Sequence, residues 1–190
     1  MDVFVTGGTG FVGSHVVEQL LERGHRPLCL VRETSDTEHL DALGVETFVG
    51  TLDAVEKMRP AIEQVEAVVH VAGVTKVCTF DEFFRYNAEA TAELARLCVD
   101  ANPDLERFVF MSSVGAQGPA EADEPRPAEA EPEPVSHYGE SKREAEKYLL
   151  ELSDEFNVTI FRPPPVYGPR DTDMFDVFKM ARFGLAPVYG

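Results

Sequence analysis

Basic side chains are scarce in this chain: 17 Lys and Arg stand against 34 Asp and Glu, a net charge of −17. Such a surface repels nucleic acid and anionic membrane, so neither is expected as a partner. Lysine is scarcer still, five residues against twelve arginines, and the acid is spread along the chain rather than gathered in a tail. That pattern reads as a solvated acidic surface, and a salt-rich cytoplasm would relieve its self-repulsion. Cysteine is rare too. Cys29, Cys78 and Cys98 are an odd set without CxxC spacing, each within or beside an apolar stretch, and they read as small buried hydrophobes in a reducing compartment. No apolar run approaches the ~18 residues that span a bilayer, and no internal repeat is visible. Met1-Asp2 leads straight into Val3-Phe4-Val5, so no signal peptide is expected and a cytoplasmic location is.

What is present is enough apolar residue for a core: 44% of 190 residues, ordinary for one folded domain. Short apolar runs at Val3–Val5, Pro27–Val31, Val45–Val49, Ala67–Val71, Phe108–Met111 and Val158–Phe161 predict six strands. Between them, helical periodicity runs from the glycine turn to Arg23, over Thr37–Leu43, Val55–Val65 and Phe80–Ala101, and over Glu140–Phe156. Phe83, Phe84, Leu94, Leu97 and Cys98 are the expected core positions of the fourth helix. Strands alternating with helices predict an α/β fold, a doubly wound parallel sheet with right-handed crossovers. Residues 118–134 are rich in Pro, Ala and Glu and lack apolar periodicity. They predict an extended, mobile loop, either a lid or a solvated excursion, with the excursion favoured.

Three local patterns carry chemistry. Gly8-x-Gly10-x-x-Gly13, overlapped by Gly7-x-x-Gly10-x-x-Gly13, follows the first strand and opens the first helix. Glycines there allow a tight turn, a close backbone approach to a pyrophosphate and close helix packing, with the helix N-terminus facing the phosphates. At the end of the second strand, where an NAD site carries an acid for the ribose 2′-OH, stands Arg32, which suits a 2′-phosphate and favours NADP over NAD. Finally, Tyr138 and Lys142 are spaced i, i+4, on one helical face. An ammonium beside the phenol would lower its pKa toward neutrality and make it a proton donor and acceptor. His70 and His137 have no partners at metal-ligand spacing and read as structural, with no metal expected. Tyr86, Tyr167, Phe175 and Phe178 could line a cleft, though scattered aromatics are more often core.

Together these residues resemble the extended short-chain dehydrogenase/reductase family, which includes nucleotide-sugar epimerases and dehydratases, dihydroflavonol-type reductases and 3β-hydroxysteroid dehydrogenase-like proteins. The resemblance rests on TGGTGFVG at 6–13, His70-Val71-Ala72-Gly73, Asn87, Met111-Ser112-Ser113, Tyr138 with Lys142, and Arg162 to Pro169. It implies a Rossmann-type fold. Gly7, Gly10, Phe11, Val12 and Gly13 would hold the pyrophosphate, and Leu52 would lie by the adenine, although Thr51 replaces the acid often found before it. Ala72 and Gly73 would pass under the cofactor, and Pro163 to Val166 would line the nicotinamide pocket. Ser113, Tyr138 and Lys142 would be catalytic: hydride passes between nicotinamide and substrate carbon while Tyr138 exchanges the oxygen's proton, Ser113 bonds that oxygen, and Lys142 fixes the ribose and lowers the tyrosine pKa. Asn87 would prop the site.

The cofactor expected is NADP, with NAD open, and the substrate a small molecule; a homodimer is left open. An NAD(P)-dependent oxidoreductase heads the functional expectations, followed by an epimerase or dehydratase with tightly bound NAD, then a non-catalytic NADP-binding sensor, which typically lacks the Tyr-Lys pair. A dehydratase usually carries an acidic pair beside the serine, absent from Ser113-Val114-Gly115. Such enzymes run well beyond 190 residues, so the expectation is a nearly whole cofactor domain over 1–190 whose C-terminal substrate lobe lies outside this chain.

Overall fold

Six short strands build one sheet in the computed structural model, which describes residues 1–77, 79–120 and 124–184. They are β1 (Asp2–Thr6), β2 (Arg26–Val31), β3 (Glu46–Val49), β4 (Ala67–His70), β5 (Arg107–Met111) and β6 (Val158–Phe161). All pair in parallel, in the order β3-β2-β1-β4-β5-β6. This is the expected doubly wound sheet. Strand order reverses between β1 and β4, and the crevice at their carboxyl ends is where open α/β sheets take ligands.

The middles of the central strands are apolar, Val3–Val5, Ala67–Val69 and Phe108–Met111, because helices cover both faces. Successive side chains point to opposite sides. Phe4 and Val68 join Phe108, Phe110 and residues of α3 (Arg59–Ile62), α5 (Ala90–Ala101) and α7 (His137–Glu151). Val3 and Val5 join Val17 of α1 (Phe11–Glu22), Cys29 and Leu40 of α2 (Glu38–Ala42) on the other side. Cys29 and Cys98 are buried free thiols; Cys78 lies outside the described residues. Among the described residues no helix is long and apolar enough to cross a membrane.

Several elements differ from the expectation. The stretch Val55–Val65 is not one helix but 3-10 turns over Leu52–Met58 followed by the single-turn α3. Pro60 occupies the first turn of α3, where its missing N–H costs nothing. The helix expected over 80–101 begins as α4 (Phe80–Phe83), widens to a π turn over Phe84–Glu89 and continues as α5. Leu94, Leu97 and Cys98 are core, whereas Phe83 and Phe84 are only half-buried.

Helix α7 starts three residues before Glu140, because the Ser136 hydroxyl caps it by accepting from the Gly139 N–H at 3.1 Å; it ends at Glu151 rather than Phe156. Short helix α6 (Val114–Gln117) and helix α8 (Asp173–Arg182) were not expected. Tyr167, Phe175 and Phe178 are exposed rather than core.

The described part of 118–134 is mostly exposed and is tied to the body by hydrogen bonds to Gln117. The Gln117 side-chain amide donates to the carbonyls of Pro127 (3.2 Å) and Ala130 (2.9 Å), and the Glu133 N–H donates to the Gln117 carbonyl (3.0 Å). Docking through backbone carbonyls leaves no apolar periodicity to read.

Candidate active site

A cavity of about 1110 Å³ lies across the carboxyl ends of the strands. Its first wall is the turn from β1 into α1. Gly7 takes a left-handed φ of +76°, and a Cβ on Gly13 would overlap the Gly7 carbonyl oxygen, so the turn closes at backbone contact. Gly10 caps α1 without a side chain: its N–H donates to the Gly7 carbonyl at 3.0 Å, and its own carbonyl accepts from Ser14 at 2.9 Å. No acidic residue occupies the first turn of α1, leaving the partial positive charge of a twelve-residue helix available to an anion. Gly7, Gly10, Phe11, Val12 and Gly13 all line the cavity here. This cradle, which any side chain at 13 would fill, fits a dinucleotide pyrophosphate.

At one end of the cavity stand Arg32, Ser35 and Leu52. The Ser35 hydroxyl accepts from the Arg32 backbone N–H at 3.0 Å, holding the end of β2 in a turn, while the Arg32 side chain is exposed. Thr51 spends its hydroxyl capping the 3-10 turn that begins at Leu52. Midway, Ala72 and Gly73 line the floor. A Cβ on Gly73 would lie 2.9 Å from Asn87 Oδ1 and 3.1 Å from Lys142 Nζ.

At the other end the cavity is lined by Ser113, Tyr138, Lys142, Pro163, Val166 and Tyr86. Every sequence-predicted site residue therefore borders one space. Tyr138 is flanked edge-on by Phe83 at 6.1 Å. Burial pushes its phenol above the usual range, and a hydrogen bond with Ser113 pulls it back in part. This corrects the expectation that Lys142 lowers the phenol. The Lys142 ammonium donates instead to the Met111 carbonyl at 2.9 Å, over the Phe110 ring at 4.8 Å. Burial draws the lysine itself down to about 8, with the Glu146 charge opposing.

Behind this end lies a set of buried polar side chains. Asn87, in the π turn, accepts from the Val74 N–H at 2.8 Å and donates to the Val74 carbonyl and the Ser141 hydroxyl, each at 3.0 Å. It props α7 against the loop after β4, and π turns recur at such sites. His70 bridges two threonines: Thr6 Oγ1 at 2.6 Å from Nδ1 and Thr91 Oγ1 at 2.9 Å from Nε2. Thr91 donates its proton to the Asn87 carbonyl at 2.6 Å, so it accepts from Nε2–H, and Nδ1 accepts from Thr6. That network assigns one neutral tautomer. Burial, then Lys142, holds the imidazole down at about 3. Among the described residues no group of three His, Cys, Asp or Glu could hold a metal ion.

Glu146, Ser112 and Arg162 were missed as site residues. The carboxylate is fully buried and bonded to both partners. Its one sequence signal is spacing: Glu146 follows Lys142 by four residues, as Lys142 follows Tyr138.

A sequence profile of the NAD dependent epimerase/dehydratase family matches residues 3–183. Ceramide reductase of Caulobacter vibrioides (strain NA1000 / CB15N) is 34% identical over 190 residues, covering 98% of this chain and 53% of the relative. The crystal structure of gox2253 superposes with a TM-score of 0.84 at 32% identity, covering 98% of this chain and 59% of that one. MoeE5 in complex with UDP-glucose and NAD superposes at 0.79 with 28% identity, covering 96% and 60%. The chain spans about half the length of the curated relatives it matches.

Proposed function

From the premise that this chain belongs to the NAD dependent epimerase/dehydratase family, we propose that it is the cofactor-binding part of an NADP-using oxidoreductase that reduces a small-molecule ketone or oxidises the matching alcohol. The observation that carries this is the sharing of one cavity by the Gly7–Gly13 cradle, Arg32 at one end, and Ser113, Tyr138 and Lys142 at the other. When bound, the nicotinamide supplies or takes up the hydride. Tyr138 gives the substrate oxygen its proton, Ser113 holds that oxygen by a hydrogen bond, and the Lys142 ammonium holds the ribose hydroxyls. A phenol kept protonated by burial suits donation, and so reduction, at neutral pH. Arg32, exposed beside the adenosine end, offers a guanidinium fork to a 2′-phosphate. Leu52, Ala72, Gly73, Pro163 and Val166 line the cofactor's path. A cytoplasmic setting and a homodimer belong to the same proposal.

Titration of NADPH against NADH, read by cofactor fluorescence, tests cofactor choice, and tighter NADH binding would overturn it. Tyr138→Phe is expected to cut turnover by roughly 10²–10⁴-fold while leaving cofactor affinity unchanged; normal turnover would remove Tyr138 from its role.

A second assignment, an epimerase that keeps NAD bound, is favoured by the structural likeness to MoeE5, whose complex holds UDP-glucose and NAD. Release of NAD from denatured, purified protein would select it.

A further inference from the structure

On the functional proposal above, Lys142 must carry its charge to hold ribose hydroxyls, yet it is buried. We propose that Glu146 is a positioning residue: gripped by Arg162, it registers helix α7 on the end of β5 and keeps the buried lysine an ammonium.

Glu146 lies one helical turn beyond Lys142, so α7 carries both on one face. Their contacts fall on consecutive residues leaving β5. Lys142 Nζ donates to the Met111 carbonyl at 2.9 Å, and Ser112 Oγ donates to Glu146 Oε1 at 2.6 Å. The next residue is Ser113. Two buried contacts a turn apart thus fix where α7, with Tyr138 in its first turn, meets the serine that would bind the substrate oxygen. A slip of α7 along β5 would break both.

Arg162, just past β6, completes the device. Its Nε lies 2.8 Å from Glu146 Oε1 and its Nη2 2.7 Å from Oε2, a two-point fork. Its Nη1 donates to Gln117 Oε1 and, at 3.2 Å, to the Ala128 carbonyl, pinning α6 and the described part of the following loop. Arg143 reaches Oε2 at 3.5 Å from within α7.

Among the described residues, the polar groups near Lys142 are these. His70 on β4 is neutral in its assigned tautomer, and Asn87 on the π turn is uncharged. Tyr138 and Glu146 share its helix, and Arg143 and Arg162 meet it only through the carboxylate. Glu146 is the one anion among these, opposing the loss of solvation that draws Lys142 down to about 8. Losing that anion lets the lysine shed its proton at lower pH.

The test is NADPH binding by the whole chain, followed by NADPH emission from about pH 7 to pH 10 in wild type, Glu146→Gln and Glu146→Asp. Gln keeps the size and an acceptor for Ser112 but not the charge. Affinity of the wild type should fall as pH rises past about 8, and in E146Q the midpoint should sit roughly one pH unit lower. E146D, which retains the carboxylate, should keep the wild-type midpoint whatever its affinity, and it carries the test if E146Q does not fold.

A purely structural Glu146 would weaken binding equally at every pH, and superimposable midpoints for wild type and E146Q overturn the proposal. So does an E146D midpoint displaced to lower pH. A wild type that binds neither NADPH nor NADH at any pH sinks the functional proposal instead.

Discussion

The two ends of the cavity are built by opposite means. The end at the β1–α1 turn is made of backbone: glycines at van der Waals limit, a helix terminus and an exposed arginine. The end at α7 is made of side chains that have left water, with Asn87, Ser141, Lys142, Glu146 and His70 all buried and each hydrogen-bonded. At Gly7 and Gly13 the first tolerates no added atom, and it bears little electrostatic cost. The second has room for the right atoms only, because each buried polar group forfeits its hydration unless its partner is in place. Damage should therefore be steric at one end and pH-dependent at the other.

The largest effect that would sharpen this contrast belongs to Gly13. Gly13→Val puts carbon into the Gly7 carbonyl and should lower stability by about 3 kcal/mol or more and abolish cofactor binding, with no pH dependence in either. A urea melt and a titration measure both, and a folded, binding variant would break the backbone account.

His70 should behave in the opposite way. Its folded pKa, about 3, lies below its unfolded value of 6.5. The native state excludes a proton that the unfolded chain accepts, so this contribution is complete above pH 6.5 and is lost as pH falls toward 3. Between pH 6.5 and 5, where carboxylates titrate little, wild type should lose roughly 2 kcal/mol that His70→Gln does not lose. Parallel pH profiles in chemical melts would break the tautomer-locked assignment.

At the backbone end, Arg32→Ala should weaken NADPH binding roughly tenfold by removing charged hydrogen bonds and leave NADH binding untouched; equal losses for both would place Arg32 outside the 2′-phosphate site. The smallest effect concerns the acidic surface shared by both ends. Molar salt should raise the melting temperature by screening the net charge of −17, and a flat response would end the idea of a salt-rich setting.

The difference between the ends also explains what is legible in the sequence. The glycine turn is local, so TGGTGFVG at 6–13 announces its own geometry. Tyr138 and Lys142 were legible by spacing, but the direction of the lysine was not. Spacing places the two on one helical face without saying that β5 presents the Met111 carbonyl to the ammonium. Glu146 gave the same weak signal as any helical glutamate until Arg162, sixteen residues away, and Ser112 were brought to it. The π turn that aims Asn87 is indistinguishable from plain helix in the sequence, since apolar spacing over two turns does not resolve one extra residue.

By itself the sequence determined the alternation of strands and helices, hence a parallel sheet with a nucleotide turn after β1, because hydrophobic period and glycine stereochemistry act within a few residues. Only the tertiary structure decided the protonation of the buried groups: a phenol raised, a lysine drawn down and an imidazole held neutral. Those states depend on how much water and which charges surround a side chain, and its surroundings come from segments far apart along the chain.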